Sequence, residues 1–191
     1  ASRPMCWISS PALVRWIAPI LSFTAEEIWE NLPGEHDSSV MLVQWYDRLQ
    51  TLPDDEPMGR AFWQELMLVR VAVNKEMEAQ RSAGVLRGSL DAVVTLYCSA
   101  ALQARLSMLG DELRFVLITS NATLLPLEAA GADAAVTELS DLRVLVVPAP
   151  DEKCERCWHR RPDVGANPAH LTLCGRCIDN IDGDGERREF A

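Results

Sequence analysis

Four of the six cysteines, Cys154, Cys157, Cys174 and Cys177, form two C-x-x-C pairs spaced C-x2-C-x16-C-x2-C. Two cysteines separated by two residues can both reach one ion, because the intervening turn points both sulfurs inward. Two such knuckles supply four thiolates, which complete a tetrahedral zinc shell with no open position, so the ion is expected to be structural. Residues 151–191 carry few large apolar side chains: Trp158, Val164, Leu171, Leu173, Ile178, Ile181 and Phe190. That is too little core for about 40 residues to fold unaided. Zinc contributes roughly 10–16 kcal/mol of apparent binding energy to such modules. Three other readings of the same residues stay open. A pair of redox C-x-x-C motifs would sit at helix starts in βαβ units, and none is visible. An iron–tetrathiolate site has the same ligand set. His159 or His170, both inside the segment, would replace a cysteine as ligand.

The elements that must position this module are read from periodicity. Residues 11–33 read as helical with a break at Pro19. A restart is expected at Thr24, whose hydroxyl would accept from the Glu27 N–H while Glu27 reaches back, as in a capping box. Ile28, Trp29 and Leu32 give this segment an apolar face, Pro33-Gly34 stops it, and His36 follows in an exposed turn. Residues 40–46 look extended or irregular. Asp54-Asp55-Glu56 before Pro57 favours a helix start there. Met58, Phe62, Leu66, Val69, Val73 and Met77 then recur at spacings of three and four, predicting one apolar helical face that runs to about Ser82, with Gly84 at its C-terminal end. Trp16, Trp29 and Trp63 are assigned to the core.

After Gly88 the period changes. Leu90–Cys98, Phe115–Thr119 and Leu142–Val147 read as strands, and Ala100–Leu109 as a short helix ended by Gly110. The Ala-rich residues 121–139 read as loop or a short helical turn. Pro148-Ala149-Pro150 reads as a linker. Cys98 ends an apolar run and is expected to be a small buried hydrophobe, and Cys6 stands alone.

The chain has 191 residues, 48% hydrophobic and 24% charged, proportions that exclude a disordered polypeptide. No stretch of about 18 uninterrupted apolar residues exists, so no membrane span is expected. Nothing points to secretion, so a reducing, cytoplasmic location is expected. The chain begins with Ala rather than Met and reads as a piece of something longer. Its net charge is −10, with residues 1–150 contributing −8 and residues 151–191 contributing −2. Contact with nucleic acid would therefore need a local basic patch, not the global field.

Several segments together resemble a known family. Lys153-Cys154-Glu155-Arg156-Cys157-Trp158, Cys174-Gly175-Arg176-Cys177 and the run from Gly183 to Ala191 resemble the C-terminal zinc module of bacterial isoleucyl-tRNA synthetases. Leu13 to Trp29, Phe62-Trp63 through Arg70, Asn74-Lys75 and Ser89-Leu90-Asp91-Ala92 are similar to the anticodon-binding region of the same family. The helical motif alone would also fit the valyl or leucyl relatives. Residues 1–10 match less well, and Asp91 stands where the family often has Glu. The resemblance implies a class I ligase that joins isoleucine to its tRNA using ATP. The family's H-x-G-H and K-M-S-K-S signatures do not occur here, and its editing domain is missing. A non-catalytic, tRNA-binding portion is therefore expected, with ATP confined to the catalytic domain. Its expected partners are isoleucine tRNA and the remainder of the synthetase, with no membrane and no DNA.

RNA contact has a local logic. Unstacked bases stack on aromatic or guanidinium planes. Trp158, His159, Arg160 and Arg161 directly follow the first knuckle, and Arg156 and Arg176 lie inside the knuckles. Arg160, Arg161, Arg156 and Trp158 are candidate RNA contacts, although the buried-aromatic argument makes Trp158 first of all a small core over the metal. On the long helix Arg70, Asn74 and Arg81 share one stripe, with Lys75 about 100° away. Family resemblance adds these four as candidates; a solvated face is the plain alternative.

The expected architecture is α+β: a helical anticodon-binding subdomain over 1–88, a small α/β connecting subdomain over 89–150, and a zinc ribbon over 151–191. Two rival functions are a free-standing zinc-ribbon interaction module and the zinc-finger tail of a DNA glycosylase. The latter needs an N-terminal proline nucleophile, and Pro4 is not N-terminal.

Overall fold

A computed structural model describes residues 6–47, 51–54 and 56–190; Pro4, Asp55 and the Cys6 side chain, weighed above, lie outside what it describes. The chain divides into two compact units, Ala1–Leu52 and Pro53–Ala191.

Among its described residues the first unit holds two helices, α1 (Cys6–Ile17) and α2 (Ser22–Glu30), and a 3-10 turn at Val40–Leu42. The break falls near Pro19 as expected, but Thr24 caps nothing. The chain keeps bonding through the bend, with the Leu21 N–H donating to Ile17 O and the Ala25 N–H to Leu21 O. Ser22 Oγ donates to Ala18 O. The helix begins at Ser22, so Thr24 stands inside its first turn and not at the cap position. Trp29 is buried with Val14, Ala18, Ala25 and Val40, and its indole N–H donates to Asp37 O at 2.8 Å. Ile28 is partly exposed, Leu32 packs against the cluster, and His36 is bonded to Leu32 O and Asp37 O while meeting the Trp29 ring edge-on. Trp16 is half-buried.

The second unit is built on α3 (Arg60–Ser82) and a four-stranded sheet. The helix starts at Arg60, not Pro57. Asp54 pairs with Arg60 there, and the Arg60 N–H donates to Pro53 O. Phe62, Leu66, Val69, Val73 and Met77 are all buried, so the predicted stripe is the buried face. Trp63 packs half-buried beside it. Gly84 has φ +76, a conformation that side chains disfavour, directly after the helix end.

The strands are β1 (Ala92–Cys98), β2 (Asn121–Pro126), β3 (Ala135–Val136) and β4 (Leu142–Pro148), in the order β2-β1-β4-β3. β1 runs parallel to β2 and antiparallel to β4. The register pairs Val94 with Val146, Leu96 with Val144 and Cys98 with Leu142. All six are buried in one cluster with the α3 stripe. The segment expected to be loop therefore supplies both edge strands.

The parallel step from β1 to β2 requires a crossover. It is made by α4 (Ala100–Leu106), a 3-10 segment broken at Gly110, and α5 (Leu113–Leu117). Here Phe115–Thr119 departs from the expected strand. Leu106, Leu109, Leu113 and Leu117 recur at helical spacing and all enter the core, so burial overrides the local β-branched preference. Ile118 closes α5 in a left-handed conformation (φ 57, ψ 51), uncommon for a β-branched residue. The last element is α6 (Gly175–Asp182). No helix among the described residues is long and apolar enough to cross a membrane.

Candidate metal centre and nucleic-acid interface

The sequence around the first knuckle turns back on itself. The Trp158 N–H donates to Cys154 O, the Cys154 N–H donates to His159 O, and Lys153 bridges Arg160 in an antiparallel pair. The second knuckle is set differently: Cys174 stands at the N-terminal end of α6 and Cys177 in its first turn. This brings the sulfurs of Cys154, Cys157, Cys174 and Cys177 within 4.8 Å of one another. Three of the four residues are fully buried. Cys157 Sγ and Cys174 Sγ lie 3.7 Å apart. A tetrahedron with Zn–S bonds of about 2.3 Å has sulfur–sulfur edges of about 3.8 Å, so this pair stands at the spacing of a zinc tetrahedron.

The surroundings favour thiolates. The Cys174 N–H points at Cys154 Sγ at 3.4 Å. Burial opposes ionisation of Cys154, but backbone N–H groups of the knuckles outweigh it and lower the thiol to about 6. Burial pushes Cys174 up to about 12 and raises Cys177, so zinc must displace their protons on binding. Zinc with four thiolates carries net negative charge. Arg156 Nη1 approaches Cys177 Sγ at 3.6 Å, and the Arg176 guanidinium, raised above its ordinary value despite burial by Cys157 and Glu186, lies beside the cluster. Outer-sphere cations of this kind stabilise the ligands. The four cysteines suit one structural zinc ion, with no ligand position left for substrate.

Neither histidine enters the cluster. His159 is buried edge-on against Phe115, and its Nδ1 lies 3.2 Å from Cys157 O. Burial, with Arg176 and Arg114 nearby, lowers its pKa, so the ring packs as a neutral wedge. His170 pairs with Asp182.

Trp158 overturns the expectation of a small core. It is 60% exposed and takes a left-handed backbone (φ 66) directly after Cys157. Its ring is displayed to solvent with Lys153 Nζ 5.3 Å from the ring centre. The knuckle's own hydrogen bonds fix this residue before its side chain can fold over the metal, and the cysteines fill the interior instead.

The remaining candidates separate by their partners. Arg160 is the docking residue of the module: its Nε donates to Asp91 at 2.8 Å, Nη1 donates to Asp151 O, and its backbone N–H donates to the buried Ser120 Oγ at 2.7 Å. Arg161 lies 3.6 Å from Asp163. On α3, Lys75 pairs with Glu138 and Arg81 with Glu78. Asn74 is exposed and Arg70 half-buried, the latter with no partner for its buried Nε among the described residues. Asn74 and Arg81 line a hollow of about 170 Å³ closed by Gly88 and Ser89. Lys153 and Ser120 escaped the sequence reading. Lys153 was legible from its place before the first knuckle; Ser120 lies 40 residues from its partner and had no local signal.

Comparison with known proteins finds two matching families. Residues 5–96 match the family described as the anticodon-binding domain of tRNA ligase, and residues 151–180 the zinc finger found in FPG and IleRS. The chain is 59% identical over 180 residues to the isoleucine–tRNA ligase of Pseudomonas aeruginosa strain UCBPP-PA14, covering 94% of this chain and 19% of that protein. It is 57% identical to those of Azotobacter vinelandii and Pseudomonas fluorescens strain Pf0-1, covering 94% and 95% of this chain and 19% of each relative. The chain thus spans about a fifth of the length of the curated relatives it matches.

Proposed function

We propose that this chain, similar over 94% of its length to isoleucine–tRNA ligases, is the tRNA-binding part of such a ligase. In this reading it recognises isoleucine tRNA near the anticodon and positions it for ATP-dependent aminoacylation by a catalytic domain elsewhere in the protein. The observation that carries it is Trp158: a large aromatic ring, 60% exposed, set on the turn of the first knuckle with Lys153 Nζ 5.3 Å from its centre. Exposed rings on rigid turns offer a platform on which an unstacked base lies flat, and the flanking lysine attracts its phosphates. Arg161, Arg70, Asn74, Lys75 and Arg81 are further proposed contacts. Arg160 acts as a positioning residue, because its guanidinium is engaged by Asp91.

The mechanism is recognition. Zinc, when bound, fixes the two knuckles. Arg160 and Ser120 hold the first knuckle against the sheet, so the Trp158 platform keeps a defined orientation. The test is binding of the zinc-loaded chain to isoleucine tRNA and to the same tRNA with a replaced anticodon, at two fixed salt concentrations. Tighter binding to the native anticodon is expected. Absence of binding to either RNA would overturn the reading and favour a zinc module that binds protein.

A further inference from the structure

The chain after α6 folds back over α5. The Glu112 carboxylate accepts the backbone N–H groups of Glu189 and Phe190, each at 2.7 Å. Between this returning segment and α5 lies a hollow of about 480 Å³. Its walls carry five arginines against four carboxylates, in a chain whose net charge is −10.

Most of those carboxylates are already engaged. Asp111 pairs with Arg114 Nη2, Glu186 with both Arg176 and Arg188, and Glu112 with the returning backbone. Arg176 and Arg188 also lie against the Phe115 ring, 5.2 and 4.0 Å from its centre. Donors remain. Arg114 is 4% exposed, and its Nε is buried with no hydrogen-bond partner among the described residues. Among the described residues, the sole ion-pair partner of Arg161 is Asp163 at 3.6 Å, and Arg187 has none. A buried guanidinium N–H left unpaired is costly, and an anion seated beside it would satisfy it. Burial, then repulsion from Arg161, pulls the Arg114 pKa down, with Asp111 opposing; a second anion would relieve the same strain.

We propose that this hollow is a phosphate-binding site, formed by Arg114, Arg161 and Arg187, that takes one phosphodiester of a bound RNA strand. It rests on the RNA-binding reading above and adds a contact independent of Trp158. Arginine suits this ligand because its planar fork matches two phosphate oxygens. A small phosphorylated molecule presents the same chemistry, and the test separates the two.

The full zinc-loaded chain is titrated with inorganic phosphate and with a short oligouridylate while the Arg114 Nε–H resonance is followed by NMR. A saturable shift is expected with the oligonucleotide, weakened at least tenfold in the Arg161→Gln/Arg187→Gln double variant. Affinity for isoleucine tRNA is then measured against salt. The double variant is expected to lower the slope of log K against log salt by about 0.7–0.9 for the lost contact. Circular dichroism and zinc content equal to those of the parent chain establish that the variant is folded. An unmoved Arg114 resonance with tRNA still bound would overturn the site and leave the RNA reading standing. A shift with inorganic phosphate alone, with no tRNA bound, would overturn the RNA source and the reading beneath it.

Discussion

Arg160 reaches 69 residues back along the chain to Asp91, placing its Nε 2.8 Å from Asp91 Oδ1. Both side chains are mostly buried, at 31% and 24% exposure. The same stretch is held twice more, by Arg160 N–H to Ser120 Oγ and by Ala149 N–H to Asp91 O. The Pro148-Ala149-Pro150 segment, expected to be a linker, is thereby fixed: Pro148 pairs with Ala92 and Ala149 is buried. The metal-binding tail is docked on the sheet, not tethered to it.

Removing that dock should loosen the tail. Arg160→Ala is expected to cost about 1.5–3 kcal/mol, the range for a hydrogen bond to a charged group. Urea unfolding measures it, and Asp91→Asn should give a smaller loss at the same place. Wild-type stability in Arg160→Ala would mean the pair is dispensable.

Trp158 should matter for RNA and not for folding. Trp158→Ala is expected to change stability by less than about 0.5 kcal/mol, as for other exposed positions. Its tRNA affinity should fall by about 5- to 150-fold, from the loss of about 1–3 kcal/mol of stacking. Trp158→Phe should recover much of this. Because φ is +66, Trp158→Gly should be more stable than Trp158→Ala. Equal tRNA affinity in all these variants would show that no base stacks there.

Metal content offers a separate check. One zinc ion per chain is expected by elemental analysis, and Cys174→Ser should lose it while Cys98→Ser keeps it. Chelation should melt residues 151–190 and leave amide protection in β1 and β4, whose core residues are packed without the cysteine cluster. Retained tail structure after complete chelation would show that the module folds without metal.

Cys98 provides the pH test. Burial, reinforced by Asp141, pushes its thiol up to about 12 from an ordinary value of 9.0. A raised native value means the neutral thiol stabilises the fold. That contribution is full below about pH 9 and is lost as pH rises from there toward 12. Cys98 should resist iodoacetamide at pH 8 in the folded, zinc-loaded chain and react once urea unfolds it, as read by peptide mass mapping. Rapid alkylation of the folded chain would contradict this burial.

Legibility in the sequence followed the range of the deciding contacts. The α3 stripe from Phe62 to Met77 was readable because one helical face repeats within a few residues. The strands β1 and β4 were readable because each buries alternate residues. Phe115–Thr119 misled because its β-branched residues favour a strand locally, whereas Leu113 and Leu117 meet α3 and the sheet only in the folded chain. β2 and β3 carried little pattern because both are edges, with few residues buried.

The sequence by itself determined the metal chemistry, since two C-x-x-C turns can bring four sulfurs to one ion whatever the rest of the chain does. It also determined the long apolar helix. The tertiary structure decided what those sulfurs present to solvent. It turned Trp158 outward, drew Arg160 inward to Asp91, and closed the returning tail over Phe115. The last two outcomes depend on partners 40 to 78 residues away. Spacing along a chain encodes which groups a single turn can gather. Only packing decides which of them are consumed by the fold and which are left to bind.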